Sequence, residues 1–387
     1  MDRDLRIGID LTAHLTHPEA KSGQLVYSAS IYIADILDGL CRNGHAGQIT
    51  IFTYRWAETF LKTRFPGVRI VCVGNRVCDA LNSASGKNLY RKFNMNANIV
   101  RKINACDVDL VWDPFLSSSI EDREIQHRTI VTVHDLIGYS KAEKATGFRQ
   151  AVISASCVMT TSEYVKRDCA RAFRIPEDRI AVIPNAVQVS GIREEPVPDL
   201  APGYILDING FRPHKNTMTL IRAFDRIRER TECDLVLCGG GRDEDYYAEL
   251  IREIETRQLQ DRVRVIYQAP DARVEWLYNH ARLFANPSLK EGFGRGPIEA
   301  ALRCVPVLTS GETALYESTM GLLEYMTDPK SDEIMAGDLL RVLTDGVSYD
   351  TQQVKEKYLQ AYAPETVAAA CWETFEKAAG AARPGND

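Results

Sequence analysis

"LFANPSLKEGFGRGPIEAALRCVPVLTS", Leu283 to Ser310, carries the pattern that decides the fold. A strand-length apolar run, "LFANPS", gives way to a glycine-rich loop, then to helix-period sequence opened by Pro297, then to a second strand-like run, "VPVLTS". Strand, loop, helix and strand make a βαβ unit, and repeated βαβ units build parallel sheets. Pro297 suits the first turn of a helix, where its missing N–H is not needed. Glu299 is then expected in that first turn, with Glu291 in the loop ahead of it. Gly292, Gly294 and Gly296 permit tight turns and close backbone approach. Backbone amides and the helix dipole would together make an anion pocket suited to a diphosphate. Carboxylates are poor phosphate ligands but good acceptors for the vicinal hydroxyls of a sugar or ribose. The loop alone also admits a plainer reading, with Glu299 capping its own helix and Glu291 in solvent.

The same alternation runs outward in both directions. "LRIGIDL", "QITIFTY", "VRIVCV", "VDLVWDP", "RTIVTVHDL", "CVMTTS" and "IAVIPNAV" precede a break, and "GYILDING", "CDLVLCGG" and "RVRVIYQ" follow it, with helix-period segments between. These are too many units for one doubly wound sheet, and 387 residues are too many for one core. The break is "QVSGIREEPVPDLAPG", with three prolines and no periodicity. The expected division is a first domain over 1–188, a linker over 189–203 and a second domain over 204–364. A final helix over 365–382 is expected to pack back on the first domain.

Composition narrows the class. With 45% hydrophobic and 26% charged residues the chain is ordinary globular protein. Its apolar runs are strand-length, so no membrane span is expected, and the N-terminus has no signal-peptide pattern. Ten cysteines without a CxxC pair suit reduced, buried thiols of a cytoplasmic protein. Residues 1–190 hold 24 Lys and Arg against 20 Asp and Glu, the rest 23 against 33. The basic first half, with Arg91, Lys92, Arg101 and Lys102 on one segment, suits an anionic membrane surface or an ordinary solvated face.

Two further motifs carry chemistry. In "NGFRPHKN" Arg212 and Lys215 lie three apart between a strand and a helix, where two cations would neutralise a pyrophosphate. Asn216 is expected to cap the helix that follows. In "TIVTVHDL" a buried strand delivers His134 and Asp135 at its C-terminal end, the edge at which open α/β sheets bind ligands. His134 would hydrogen-bond a sugar hydroxyl or simply fasten a loop; Asp135 suits loop organisation.

The stretch from Ser288 to Ser310 resembles the Glu-x7-Glu signature of the family 4 (group 1) glycosyltransferases of the GT-B fold. "R-P-H-K-N" is similar to that family's R-x-x-K-N element, "HDL" to its H-D-L, the turn at Gly239 to its nucleotide-pocket wall, and Ser22-Gly23 to its glycine-rich turn. The resemblance implies two Rossmann-like domains facing across a cleft, and a retaining transfer of a sugar from a nucleotide-diphosphate donor to a hydroxyl acceptor. It gives Glu299 the nucleotide ribose, and Glu291 the transferred sugar. Gly292, Phe293 and Gly294 receive the diphosphate and sugar, Arg212 and Lys215 the diphosphate. His134, Asp135 and Gly23 fall to the sugar and acceptor side. Arg295 departs from the apolar residue usual at its place, set to add charge near the phosphates or to face solvent. Gly23 stands alone where the family often has two glycines. No Asp-x-Asp motif is placed for a metal, so neither metal nor cofactor is expected. The implied partners are a nucleotide sugar, a sugar or lipid-linked glycan acceptor in bacterial polysaccharide or glycolipid assembly, and the inner membrane face, with no nucleic acid. The alternatives are a nucleotide-sugar epimerase and a non-catalytic binding module on the same fold.

Overall fold

The computed structural model describes residues 4–12, 28–74, 96–115, 125–137, 139, 145–189, 191–241 and 243–380. They form two compact units, residues 1–186 with 363–387, and 187–362. Each is built on a parallel sheet.

In the first unit the strands are β1 (Ile7–Asp10), β2 (Ile49–Thr53), β3 (Arg69–Cys72), β4 (Leu110–Asp113), β5 (Arg128–Val133), β6 (Cys157–Thr160) and β7 (Ile180–Val182). They lie in the order β3-β2-β1-β4-β5-β6-β7. Alternate side chains feed two cores, as a sheet covered on both faces requires. Ile7, Ile9, Leu110 and Trp112 pack with helix α1 (Ser28–Arg42), while Val111, Val131 and Val133 pack with α3 (Asn96–Asn104), α4 (Ala145–Ser154) and α5 (Glu163–Phe173). α2 (Arg55–Arg64) joins the first of these layers through Ala57 and Leu61.

In the second unit β8 (Tyr204–Ile208), β9 (Leu235–Gly239), β10 (Val263–Tyr267), β11 (Ala281–Asn286), β12 (Val307–Thr309) and β13 (Glu324–Tyr325) run in the order β10-β9-β8-β11-β12-β13. Leu235 and Leu237 face α6 (Thr217–Ile227) and α7 (Glu244–Thr256); Val236 and Cys238 face the layer holding α8 (Asp271–Asn279) and α9 (Arg295–Ala301). Further on come α10 (Leu315–Ser318), α11 (Asp332–Asp345) and α12 (Thr351–Tyr362).

The last helix, α13 (Pro364–Gly380), belongs to the first unit. Val367, Ala368, Cys371 and Phe375 enter the α1 core, Trp372 stacks on His45 at 3.7 Å, and Arg42 pairs with Glu365 at 2.9 Å. The stretch 189–203, read as a linker, is a strap on the second unit. Glu195 N–H donates to Ala272 O, Glu194 accepts from Asn279 and meets His280, Arg273 pairs with Glu195, and Val197 is buried. Its prolines rule out regular structure without making it loose.

Candidate functional site

In each sheet the strand order reverses once, between β1 and β4 and between β8 and β11. Loops that leave the C-terminal ends of two such strands diverge to opposite faces and open a crevice, the usual ligand site of a doubly wound sheet. Arg212, Lys215 and the loop of residues 291–294 fall at the β8/β11 point, Gly239 ends the adjacent β9, and His134 and Asp135 follow β5, next to β4.

In the second unit the loop after β8 carries Arg212 and Lys215, and the loop after β11 carries Glu291 to Gly294. The two are joined at several points. Leu289 N–H donates to His214 O at 2.8 Å, Asn216 Nδ2 to Pro287 O at 3.2 Å, and Lys215 Nζ lies 2.6 Å from Glu291 Oε1. The Lys215 and Glu291 side chains are only 17% and 11% exposed, so each charge depends on the other. Thr313 Oγ1 fixes the Glu291 backbone by accepting from its N–H and donating to its carbonyl. Arg212 is exposed and makes no ion pair among the described residues. Burial, with the Lys215 charge next, lowers the pKa of His214 and favours its neutral ring.

Asn216 sits at the N-cap position of α6 in left-handed backbone, φ 59°, but its side chain caps no backbone N–H. It donates instead to Pro287 O and Pro329 O and accepts from Thr219 Oγ1 at 2.6 Å. The expected cap is thus a cross-link.

Helix α9 starts at Arg295, two residues ahead of Pro297, so Glu299 is its fifth residue and not in its first turn. The start is set by Gly294, whose φ of 86° and lack of a Cβ are both needed: a Cβ would stand 2.3 Å from Leu315 Cδ2. Among the described residues the amides of Phe293 and Gly294 have no acceptor. The Phe293 ring is core, 4% exposed and edge-on to Tyr362, while its carbonyl accepts from Ser318 Oγ at 2.5 Å. The Phe293 backbone N–H therefore remains for a ligand. Gly292 is buried.

Glu299 is held at both oxygens. Tyr278 OH donates to Oε2 at 3.0 Å and Arg295 Nε to Oε1 at 3.1 Å. Arg295 neither faces solvent nor adds a loose charge; its side chain is 13% exposed and directed at Glu299. Behind them Arg303 donates to Glu299 O at 2.7 Å, lies over the Tyr278 ring at 4.7 Å, and grips Glu275 through two bonds. Burial, then the Glu299 charge, raises the Tyr278 pKa well above the usual phenol range, so its hydroxyl keeps its proton to donate. Arg303, Tyr278 and Glu275 were not singled out in the sequence; of these three only Arg303, four residues after Glu299, lies close enough to that motif to be read from it.

Gly239 ends β9 and is buried beneath the Asn209 carbonyl, which would stand 1.8 Å from any Cβ there. That packing alone demands glycine. Asp207 in β8 is 2% exposed and was not singled out in the sequence.

In the first unit His134 follows β5. Its Nε2 is 2.9 Å from Pro114 O, with Tyr32 edge-on at 4.5 Å and Phe115 at 4.6 Å. Asp135 is exposed and accepts from Ile137 N–H at 2.8 Å, a loop-organising bond. Two buried carboxylates passed over in the sequence fasten the neighbouring loops. Asp10 accepts from Thr12 N–H and Oγ1, and Asp113 from Phe115 N–H. Gly23, Arg91 and Lys92 lie outside the described residues. Lys102 donates to Gly74 O at 2.8 Å, while Arg101 is exposed. No helix of the described residues is long and apolar enough to cross a membrane.

Comparison with known proteins agrees with this architecture. The profile of the family described as "Glycosyl transferases group 1" matches residues 191–360, and that of "Glycosyltransferase Family 4" residues 29–190. O-antigen chain mannosyltransferase B of Escherichia coli is 29% identical over 240 residues, and O-antigen chain mannosyltransferase RfbU of Salmonella typhimurium 26% over 226. Each match covers 56% of this chain and 62% of the relative, so the matches span less than two thirds of these proteins. Among solved structures HepE of Anabaena, in complex with UDP and glucose, superposes with a TM-score of 0.70 at 16% identity, over 97% of this chain and all of that one. Sucrose-phosphate synthase of Thermosynechococcus elongatus gives 0.69 at 18%, over 97% and 99%. The chain belongs to the group 1, family 4 glycosyltransferases, on the GT-B fold of two Rossmann-like units.

Proposed function

We propose that the chain transfers a hexose, with retention of anomeric configuration, from a nucleotide-diphosphate sugar to a hydroxyl of a growing bacterial surface glycan. The mannosyltransferase names of the O-antigen relatives favour mannose as the hexose and a glycan, carried on lipid at the inner membrane face, as the acceptor. The observation that carries the reading is the constellation at the β8/β11 crevice: two cations, two amides without acceptors among the described residues, and two anchored carboxylates.

Each group has a role in that reaction. The fixed Glu299 accepts from the ribose hydroxyls. Arg212, with no ion-pair partner among the described residues, closes on the diphosphate, and Lys215 turns from Glu291 to meet it. Glu291, released from Lys215, accepts from hydroxyls of the transferred sugar. As the bond from the anomeric carbon to the phosphate oxygen breaks, Arg212 and Lys215 take up the charge that develops. The acceptor oxygen bonds that carbon on the same face, and its proton passes to the departing diphosphate. With the charge met by side chains, the reaction is proposed to need no metal or cofactor. His134 and its aromatic neighbours receive the sugar and acceptor side.

Thermal unfolding in EDTA with UDP, GDP, dTDP and ADP tests the donor site. A nucleotide at about a hundred times its Kd adds roughly 2.7 kcal/mol of stability. One nucleotide is expected to stabilise the parent and to lose that effect in Glu299→Ala. If none shifts the transition, with or without added Mg²⁺ or Mn²⁺, the donor site is wrong. Turnover of the matching nucleotide sugar without any acceptor would instead make the chain an epimerase.

A further inference from the structure

We propose that Asp207 is a positioning residue for the donor diphosphate, a buried carboxylate that clasps both ends of the loop bearing Arg212 and Lys215 and couples diphosphate binding to its own proton. The inference rests on the donor-site reading above and adds a regulatory group to it.

The geometry is specific. Asp207 sits in β8, with β9 on one side and β11 on the other, and is paired in register with Leu237. An aliphatic side chain would serve such a buried position better, since a carboxylate there loses its hydration. Its partners give the reason. Asn209 Nδ2 donates to Oδ1 at the start of the loop, and Thr217 Oγ1 lies 3.4 Å from Oδ2 where the loop enters α6. One carboxylate thereby joins residues 209 and 217, with Arg212 and Lys215 between them. The base of the loop has little freedom to compensate. Asn209 N–H is tied to Cys238 O at 3.0 Å, Asn209 O presses on Gly239, and Asp243 N–H donates to Phe211 O.

The charged and titratable groups facing Asp207 are few. Lys215 favours its ionised form and Glu291 opposes it; Cys238 in β9 and Tyr246 in α7 are both held neutral, chiefly by burial. Burial outweighs the favourable terms and pushes Asp207 up to about 7. A diphosphate arriving at Lys215 brings negative charge and shares the Lys215 charge that stabilises ionised Asp207. Both changes favour the protonated carboxyl. Diphosphate binding at and above neutral pH therefore takes up a proton, and affinity falls as pH rises from about 6.5 to 8.5.

Calorimetric titration of the stabilising nucleoside diphosphate, at several pH values and in two buffers of different protonation heat, tests this on the full chain. The nucleotide's own phosphate also titrates, so the comparison is between the parent and Asp207→Asn, which removes the charge at nearly constant shape. The parent is expected to weaken about fivefold more than the variant over that interval, with proton uptake at pH 8 that the variant lacks. Asp207→Leu, folded as judged by its melting curve, should lose about tenfold in affinity at every pH because both clasps are gone. If that variant fails to fold, Asp207→Asn still decides. A variant with the parent's pH profile, proton uptake and affinity overturns the inference while leaving the donor site standing. A parent that binds no nucleoside diphosphate overturns both.

Discussion

The two crevices share a strand order and differ in chemistry. At the β8/β11 end four charged side chains form two ion pairs, Lys215 with Glu291 and Arg295 with Glu299. At the β1/β4 end the corresponding place is lined by rings, with His134 between Tyr32 and Phe115, and its carboxylates, Asp10 and Asp113, are spent on local loop bonds. Topology fixes where a ligand goes in each unit, and side chains fix which ligand. A site of paired charges suits a diphosphate and a ribose; a site of rings and backbone acceptors suits neutral hydroxylated groups. Ion pairing in the unliganded site also keeps buried charges compensated until a ligand exchanges with them.

Lys215→Ala should break this contrast most severely. It removes a cation from the leaving phosphate and leaves Glu291 buried and unpaired. By analogy with removal of one stabilising donor, kcat should fall about 10²- to 10³-fold, and denaturant unfolding should show a loss on the order of 3 kcal/mol. Steady-state kinetics on the parent's substrates would check it; a variant within tenfold of the parent would show that the charge sits elsewhere.

Asp207 gives the next effect, read from stability. The folded chain holds this proton up to about pH 7, whereas an unfolded carboxyl releases it near 4. The native state therefore binds more protons across that window, and stability must fall as pH rises from about 4 to 7, then level off. The group's share is on the order of 4 kcal/mol. Asp207→Asn should remove it, so the difference between parent and variant moves in the variant's favour with rising pH. Urea unfolding at pH 5 and pH 8 measures that difference, and a constant one would rule out the buried proton.

How much of this was legible depends on the kind of information. Strand-length runs such as "CDLVLCGG" feed both faces of a buried parallel strand, so periodicity alone gives the two α/β sheets. The cations and carboxylates of the β8/β11 crevice are local motifs placed by strand ends. What could not be read is pairing across sequence distance. Lys215 and Glu291 are 76 residues apart, and Tyr278 and Glu299 are 21 apart; nothing in either segment encodes the partner. Local geometry misled at Pro297, since Gly294 starts α9 a half-turn early. It misled again at 189–203, where proline-rich composition says irregular and says nothing of attachment.

His134→Ala sharpens the contrast from the other side. The ring is placed by Pro114 O and two aromatic neighbours. Transfer should slow about tenfold, roughly the value of one lost hydrogen bond, while stabilisation by nucleotide stays within error of the parent. A drop in nucleotide stabilisation equal to that of Glu299→Ala would mean the two crevices do not divide the donor and the sugar as proposed.

The smallest effect separates a positioned carboxylate from a merely present one. Arg295 spends its Nε on Glu299, the carboxylate proposed to meet the ribose. A partly buried pair four residues apart on a helix contributes on the order of 0.5–1 kcal/mol. Arg295→Leu should therefore weaken nucleotide binding about two- to fivefold with little change in kcat, because Tyr278 still holds Oε2. Combining it with Tyr278→Phe should cost more than the two separately, since each partner compensates for the other's loss at the same carboxylate. Additive losses would show that Arg295 and Tyr278 act independently and that Glu299 needs neither to be held.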